Sequence, residues 1–199
     1  MELQSLLGLL AFAAIAAYTP GPNNTLLMSA GMNFGFRRTI PMILGVTIGF
    51  PIMIVLVGLG VGKVFEWLPQ FYTILKFAGA LYLIWLAWKI ATSAPTALSV
   101  DPKAKPAGFV SMCLFQWVNP KGWMMALTAL STYSFPERFY LSLGLIVGTF
   151  IVMGVSSATA WAVFGTALRK LMTDPKRAKV INWSLAILLV ASLIPVFWQ

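Results

Sequence analysis

The chain has 199 residues, 59% of them hydrophobic and 10% charged, with a mean hydropathy of +0.85. Soluble domains run to about 25% charged residues, and at roughly 20 apolar residues per crossing this length suits six membrane helices with short connections. A large water-facing enzyme is excluded, as is a disulfide framework, because Cys113 is the single cysteine. There is no histidine, so no imidazole chemistry is available. The net charge of +9 is concentrated in a few connections, which suits anionic lipid rather than nucleic acid.

Six apolar runs are expected to be helices, over 5–32, 39–62, 69–91, 108–132, 139–167 and 180–198. The first carries Glu2 and no basic residue ahead of Ala14-Ile15-Ala16, which argues against a cleaved secretory signal. Lysines and arginines at 37, 38, 89, 103, 105, 169, 170, 176, 177 and 179 fall on one side of an alternating six-span path, against Lys63 and Arg138 on the other. The positive-inside rule then predicts both termini outside the cytoplasm. Trp67, Tyr72, Trp88, Tyr133, Tyr140, Trp183 and Trp198 lie near span ends, where interfacial aromatics anchor. The small, polar stretch 93–107 reads as a cytoplasmic linker, dividing the chain into halves 1–92 and 108–199.

Three helices per half would place homologous halves in opposite orientations. Gly45-x-x-x-Gly49 and Gly144-x-x-x-Gly148 align the halves, and each also suits close helix packing. That alignment sets Pro20-Gly21-Pro22-Asn23 opposite Asn119-Pro120-Lys121, two helix-breaking sequences inside apolar spans. The prolines should free the carbonyls of Ala16, Tyr18 and Gln116, with Gly21 allowing the bend. The half-helix beginning near Asn23 and Asn24 presents N–H groups and positive dipole character. Lys121 lies about 20 Å into its span, too deep to snorkel, and must face the interior. Lys76, nearer a span end, is expected to snorkel.

These parts suit a zwitterion. A carboxylate would bind the half-helix N-terminus, the asparagines and Lys121, and an ammonium the freed carbonyls, with an indole face of Trp117 or Trp123 beside it. A purely structural kink is the alternative. The predicted site therefore comprises Pro20, Gly21, Pro22, Asn23, Asn24, Gln116, Asn119, Pro120 and Lys121. The five acids, Glu2, Glu66, Asp101, Glu137 and Asp174, fall in connections, so neither a buried acid–base dyad nor a metal cluster is expected, and no cofactor. Export of a small solute is the leading reading; a channel-like pathway and a membrane-embedded enzyme remain as alternatives.

Thr19–Asn24 (TPGPNN), Gly35-Phe36-Arg37 with Gly45-x-x-x-Gly49, Ala78–Leu83 with Trp85–Lys89, and Asn119-Pro120-Lys121 together resemble the LysE/RhtB family of amino-acid exporters. Trp85–Ser93 and Thr128–Thr132 are most similar to its cysteine/O-acetylserine branch. The resemblance implies a bacterial inner-membrane exporter of amino acids or derivatives (cysteine and O-acetylserine, or threonine and homoserine), usually described as proton-coupled. It carries substrate-site expectations to Pro20–Asn24 and Asn119–Lys121. The proton carrier is not visible in the residues: Lys121, Glu66 and Glu137 are the candidates, and uncoupled efflux fits equally. Exposed small-residue faces permit a homodimer without requiring one.

Overall fold

The computed structural model describes residues 3–60, 69–92 and 105–197, all in helices and their connections, with no strand among them. In chain order the helices are α1 (Leu3–Tyr18), α2 (Pro22–Phe34), α3 (Phe36–Gly58), α4 (Pro69–Ala91), α5 (Phe109–Val118), α6 (Pro120–Tyr133), α7 (Phe139–Leu168), α8 (Pro175–Ala191) and the single turn α9 (Ile194–Phe197). Helix therefore occupies each of the six predicted segments, with interruptions at both predicted breaks. Phe36–Gly58 and Pro136–Thr173 are each long and apolar enough to cross a membrane, and α1 with α2, bent by 48°, counts as a third where the pair is taken as one broken span. The interruption at Asn119 leaves α5 and α6, at 10 and 14 residues, too short to cross singly. Most of the 93–107 linker, and Glu2, Lys63, Glu66, Asp101 and Lys103, lie outside the described residues.

Proline sets several helix starts. Pro22, Pro120 and Pro175 each occupy a first turn, where the missing N–H would have had no intrahelical partner. Asp174 completes the start of α8, its carboxylate accepting from the backbone N–H of Lys176 at 2.8 Å and of Arg177 at 3.4 Å. Gly35 makes the corner between α2 and α3 with φ of 79°, a left-handed conformation that favours glycine.

Glycines decide where backbones touch. A Cβ at Gly31 would run into the Ala162 carbonyl, and one at Gly165 into that of Met28, so α2 and α7 cross in direct backbone contact. A Cβ at Gly45 would lie 2.6 Å from Met112 Cβ, and one at Gly49 2.7 Å from Cys113 Cα, so α3 packs against α5. Gly144 and Gly148 behave differently: both are exposed and a Cβ on either meets nothing within 4 Å. The two GxxxG sequences are therefore not equivalent in packing, because the second faces away from the bundle.

The buried side chains form two clusters. One includes Leu27, Met32, Val46, Leu83, Met112, Ala158 and Leu189, and the other Leu9, Phe50, Met53, Trp123, Ile146 and Phe150. Leu44, Ile48 and Ile52 on α3, and Ile151 and Val152 on α7, point outward, as a lipid-facing surface requires. Tyr140, Trp88 and Trp183 also project from the surface, whereas Tyr133 turns inward to pack on Phe12 with ring centroids 6.1 Å apart. Trp67, Trp198 and the Tyr72 side chain lie outside the described residues. Lys76 places its ammonium 4.9 Å from the ring centre of Phe197.

Candidate functional site

The chain leaves the α1 helix at Thr19 and re-enters helix at Pro22. The carbonyls released at this end are met by side chains from three helices. The Asn24 amide donates to Ala17 O at 2.7 Å and to Thr19 O at 2.9 Å. Ser157, from α7, donates to Ala17 O at 2.7 Å. From α6, the Lys121 ammonium stands 3.1 Å from Thr19 O, 3.0 Å from Thr19 Oγ1 and 3.4 Å from Pro20 O. A cation at the carbonyl end of a helix is favoured by the dipole as well as by the hydrogen bonds.

The second break meets the first through an amide pair. Asn23 Nδ2 donates to Gln116 Oε1 at 2.9 Å, and Gln116 Nε2 donates back to Asn23 Oδ1 at 3.1 Å. Gln116 is fully buried and also donates to Met112 O at 2.8 Å. The Gln116 carbonyl, expected to be free, accepts the Asn119 N–H at 3.3 Å. The two interrupted segments therefore meet side chain to backbone and side chain to side chain.

Between them lies a cavity of about 60 Å³, roomy enough to admit water. Gly21, Pro22, Asn23, Asn24, Asn119 and Lys121 line it, as do Ala16, Ala17, Val46, Phe50, Met125, Phe150, Gly154, Ser157 and Ala158. Val46 and Ala158 belong to one apolar cluster and Phe50 and Phe150 to the other, so the cavity sits at their junction. Lys121 is the only charged group among the described lining residues. Asn119 is 2% exposed, and its Oδ1 is the one buried side-chain polar atom among the described residues without a hydrogen-bond partner. Lys121 also borders a second, open groove of about 520 Å³, with Phe12, Thr19, Pro20, Thr128 and Ser192.

Of the nine predicted site residues, six line the cavity. Pro20 lines the neighbouring groove, while Gln116 and Pro120 stand behind the wall. Gly21 has an unexpected role: its φ of 179° is extended backbone open to any residue, so the glycine is not needed for the bend. It makes room, since a Cβ there would lie 2.9 Å from both Cδ and Nζ of Lys121. The indole expectation fails. Trp123 donates to Trp117 O at 2.9 Å and packs edge-on against the Trp117 ring in the apolar core, and neither ring lines the cavity. The wall supplied by α3 and α7 was not anticipated. Only Ser157, a hydroxyl in a long apolar run, carried a polar signal in the sequence.

A cavity with apolar walls that also presents Asn23, Asn24, Asn119 and Lys121, formed where two broken helices meet inside an apolar helical bundle, marks the class as that of multi-pass membrane translocators. The chain belongs to the LysE family: the LysE type translocator family matches residues 14–192. It is similar to the cysteine/O-acetylserine efflux protein of Escherichia coli (strain K12), 35% identical over 189 residues and covering 94% of each chain. It is likewise similar to the protein of that name from Salmonella choleraesuis (strain SC-B67), 34% identical over 191 residues and again 94% of each. No solved structure matches. The family is one of translocators, and both relatives are named as efflux proteins.

Proposed function

We propose that the protein exports a small zwitterionic amino acid or derivative, with cysteine and O-acetylserine as first candidates, from the bacterial cytoplasm across the inner membrane. The observation that carries this reading is the meeting of the two interrupted segments around one cavity that holds Lys121 and three asparagines within apolar walls. The α2 N-terminus supplies backbone N–H donors, Lys121 a cation and Asn119 Oδ1 an unsatisfied acceptor. The names of the similar efflux proteins supply the candidate substrates.

In this reading the halves 1–92 and 108–199 are inverted three-helix repeats that rock about the cavity, giving alternating access with both termini periplasmic. The burial rhythm supports it in a register one residue from that of the GxxxG sequences. Met42, Ile43, Val46, Gly49 and Phe50 in α3 repeat as Ser142, Leu143, Ile146, Thr149 and Phe150 in α7, all buried. This register sets Pro20 opposite Pro120. Phe50 and Phe150 then correspond, and their rings meet edge-on with centroids 5.3 Å apart beside the cavity. Of the proton-carrier candidates among the described residues, Lys121 lines the cavity and Glu137 a separate groove with Ser5 and Arg138; Glu66 lies outside the described residues.

Counterflow in proteoliposomes tests the proposal. Vesicles loaded with cysteine or O-acetylserine should take up labelled amino acid faster than empty ones, and an imposed proton gradient should change the rate. No exchange with any member of a broad amino-acid panel would refute export. An unaltered rate in the gradient would refute coupling alone.

A further inference from the structure

The groups suited to hold the two charges of a zwitterion are, in this structure, holding each other. The Lys121 ammonium lies against Thr19 O, Thr19 Oγ1 and Pro20 O at 3.0–3.4 Å. Those oxygens stand at the carbonyl end of α1, where negative partial charge collects. Among the described residues lining the cavity no carboxylate balances Lys121, so its charge is met there by dipoles alone. A carboxylate is a stronger partner for an ammonium than neutral carbonyls are, and the carbonyls so released are suited to a second ammonium. An α-amino acid offers both ions, one carbon apart.

We propose that Lys121 and the end of α1 form a self-closed clasp, which a free amino acid opens by insertion, carboxylate to Lys121 Nζ and ammonium to the Thr19 and Pro20 carbonyls. The inference rests on the export reading and adds that neither ion alone opens the clasp. An amine without a carboxylate finds its oxygens held by Lys121. A carboxylate without an amine draws Lys121 away and leaves the Pro20 carbonyl without that partner and Thr19 O with Asn24 alone. Lys121 belongs to α6 and Thr19 to the end of α1, so insertion turns a direct join between the two broken segments into a bridged one. Gly21 leaves the space in which the lysine lies, and Lys121 borders both cavity and open groove, so a solute passing between them meets the clasp.

The test is calorimetric titration of the full-length protein in nanodiscs, under reducing conditions, with cysteine, cysteamine (no carboxylate) and 3-mercaptopropionate (no amine). Wild type should bind cysteine at least about tenfold more tightly than either half-molecule. In Lys121→Met the preference for cysteine over cysteamine should fall to about one, because the carbonyls are unguarded and the carboxylate has lost its partner; Lys121→Arg should keep it. Half-molecules that match cysteine in wild type, or an undiminished preference in Lys121→Met, would overturn the clasp while leaving export standing. Wild type that binds no amino acid would remove the export reading and the clasp with it. Should Lys121→Met not elute as a folded species, Gly21→Val crowds the same contact and should lower the same ratio; an unchanged ratio there would overturn the proposal.

Discussion

The amide pair joining the two breaks can be weighed directly. Gln116→Leu keeps the side-chain volume close to native but removes both hydrogen bonds to Asn23, at 2.9 and 3.1 Å, leaving a part-buried amide without its partner. Interhelical hydrogen bonds in membranes average about 0.6 kcal/mol and reach about 1.7, and an orphaned polar group costs about 1–3 kcal/mol. Gln116→Leu should therefore destabilise the fold by about 2 kcal/mol, and Asn23→Leu by a similar amount. The double variant orphans no amide at this contact, so its loss should fall short of the sum by about 1–2 kcal/mol. Reversible unfolding of the four proteins in mixed micelles, by far-UV circular dichroism, gives the cycle. A coupling below about 0.3 kcal/mol would mean that the pair does not join the segments energetically, and the meeting of the breaks would lose its main support.

Asn119→Leu should leave stability unchanged or slightly raised, because a buried acceptor without a partner is removed, while counterflow falls at least about tenfold; loss of stability with transport intact would show the opposite assignment. Gly165→Ala should cost about 1–3 kcal/mol by driving a methyl into the Met28 carbonyl, whereas Gly148→Ala, with open space around it, should be neutral or stabilising; thermal unfolding separates the two. Asp174→Ala should lower stability by about 1 kcal/mol through loss of two accepted N–H bonds at the start of α8, with counterflow unaffected.

The apolar runs and both interruptions were legible because each depends on local chemistry. Proline ends a helix wherever it stands, and roughly twenty apolar residues ask for lipid whatever surrounds them. What surrounds the breaks was less legible. Lys121 could be assigned to the interior from its depth, but its partners at Thr19 and Pro20 lie a hundred residues away and follow only from how the segments cross. The GxxxG pairs show the same limit. Gly45 and Gly49 face α5, Gly144 and Gly148 face outward, and a rotation of one residue separates the two cases. Trp117 and Trp123 were expected at the site because they flank Asn119-Pro120-Lys121, yet helical geometry turns both rings to the core. Phe50, Phe150 and Ala158 had no local mark at all, since an apolar cavity wall and an apolar core read alike in sequence.

Along its 16 residues α1 buries only Leu9 and Ala13, whereas the shorter α2 buries eight. Yet the tip of α1 is tethered by Asn24, Ser157 and Lys121 together. A rod pinned at one end and sparsely seated along its length pivots as an oar does in its rowlock, with the least displacement at the pin. A rearrangement that spares the pinned tip thus disturbs only two fully buried side chains of α1.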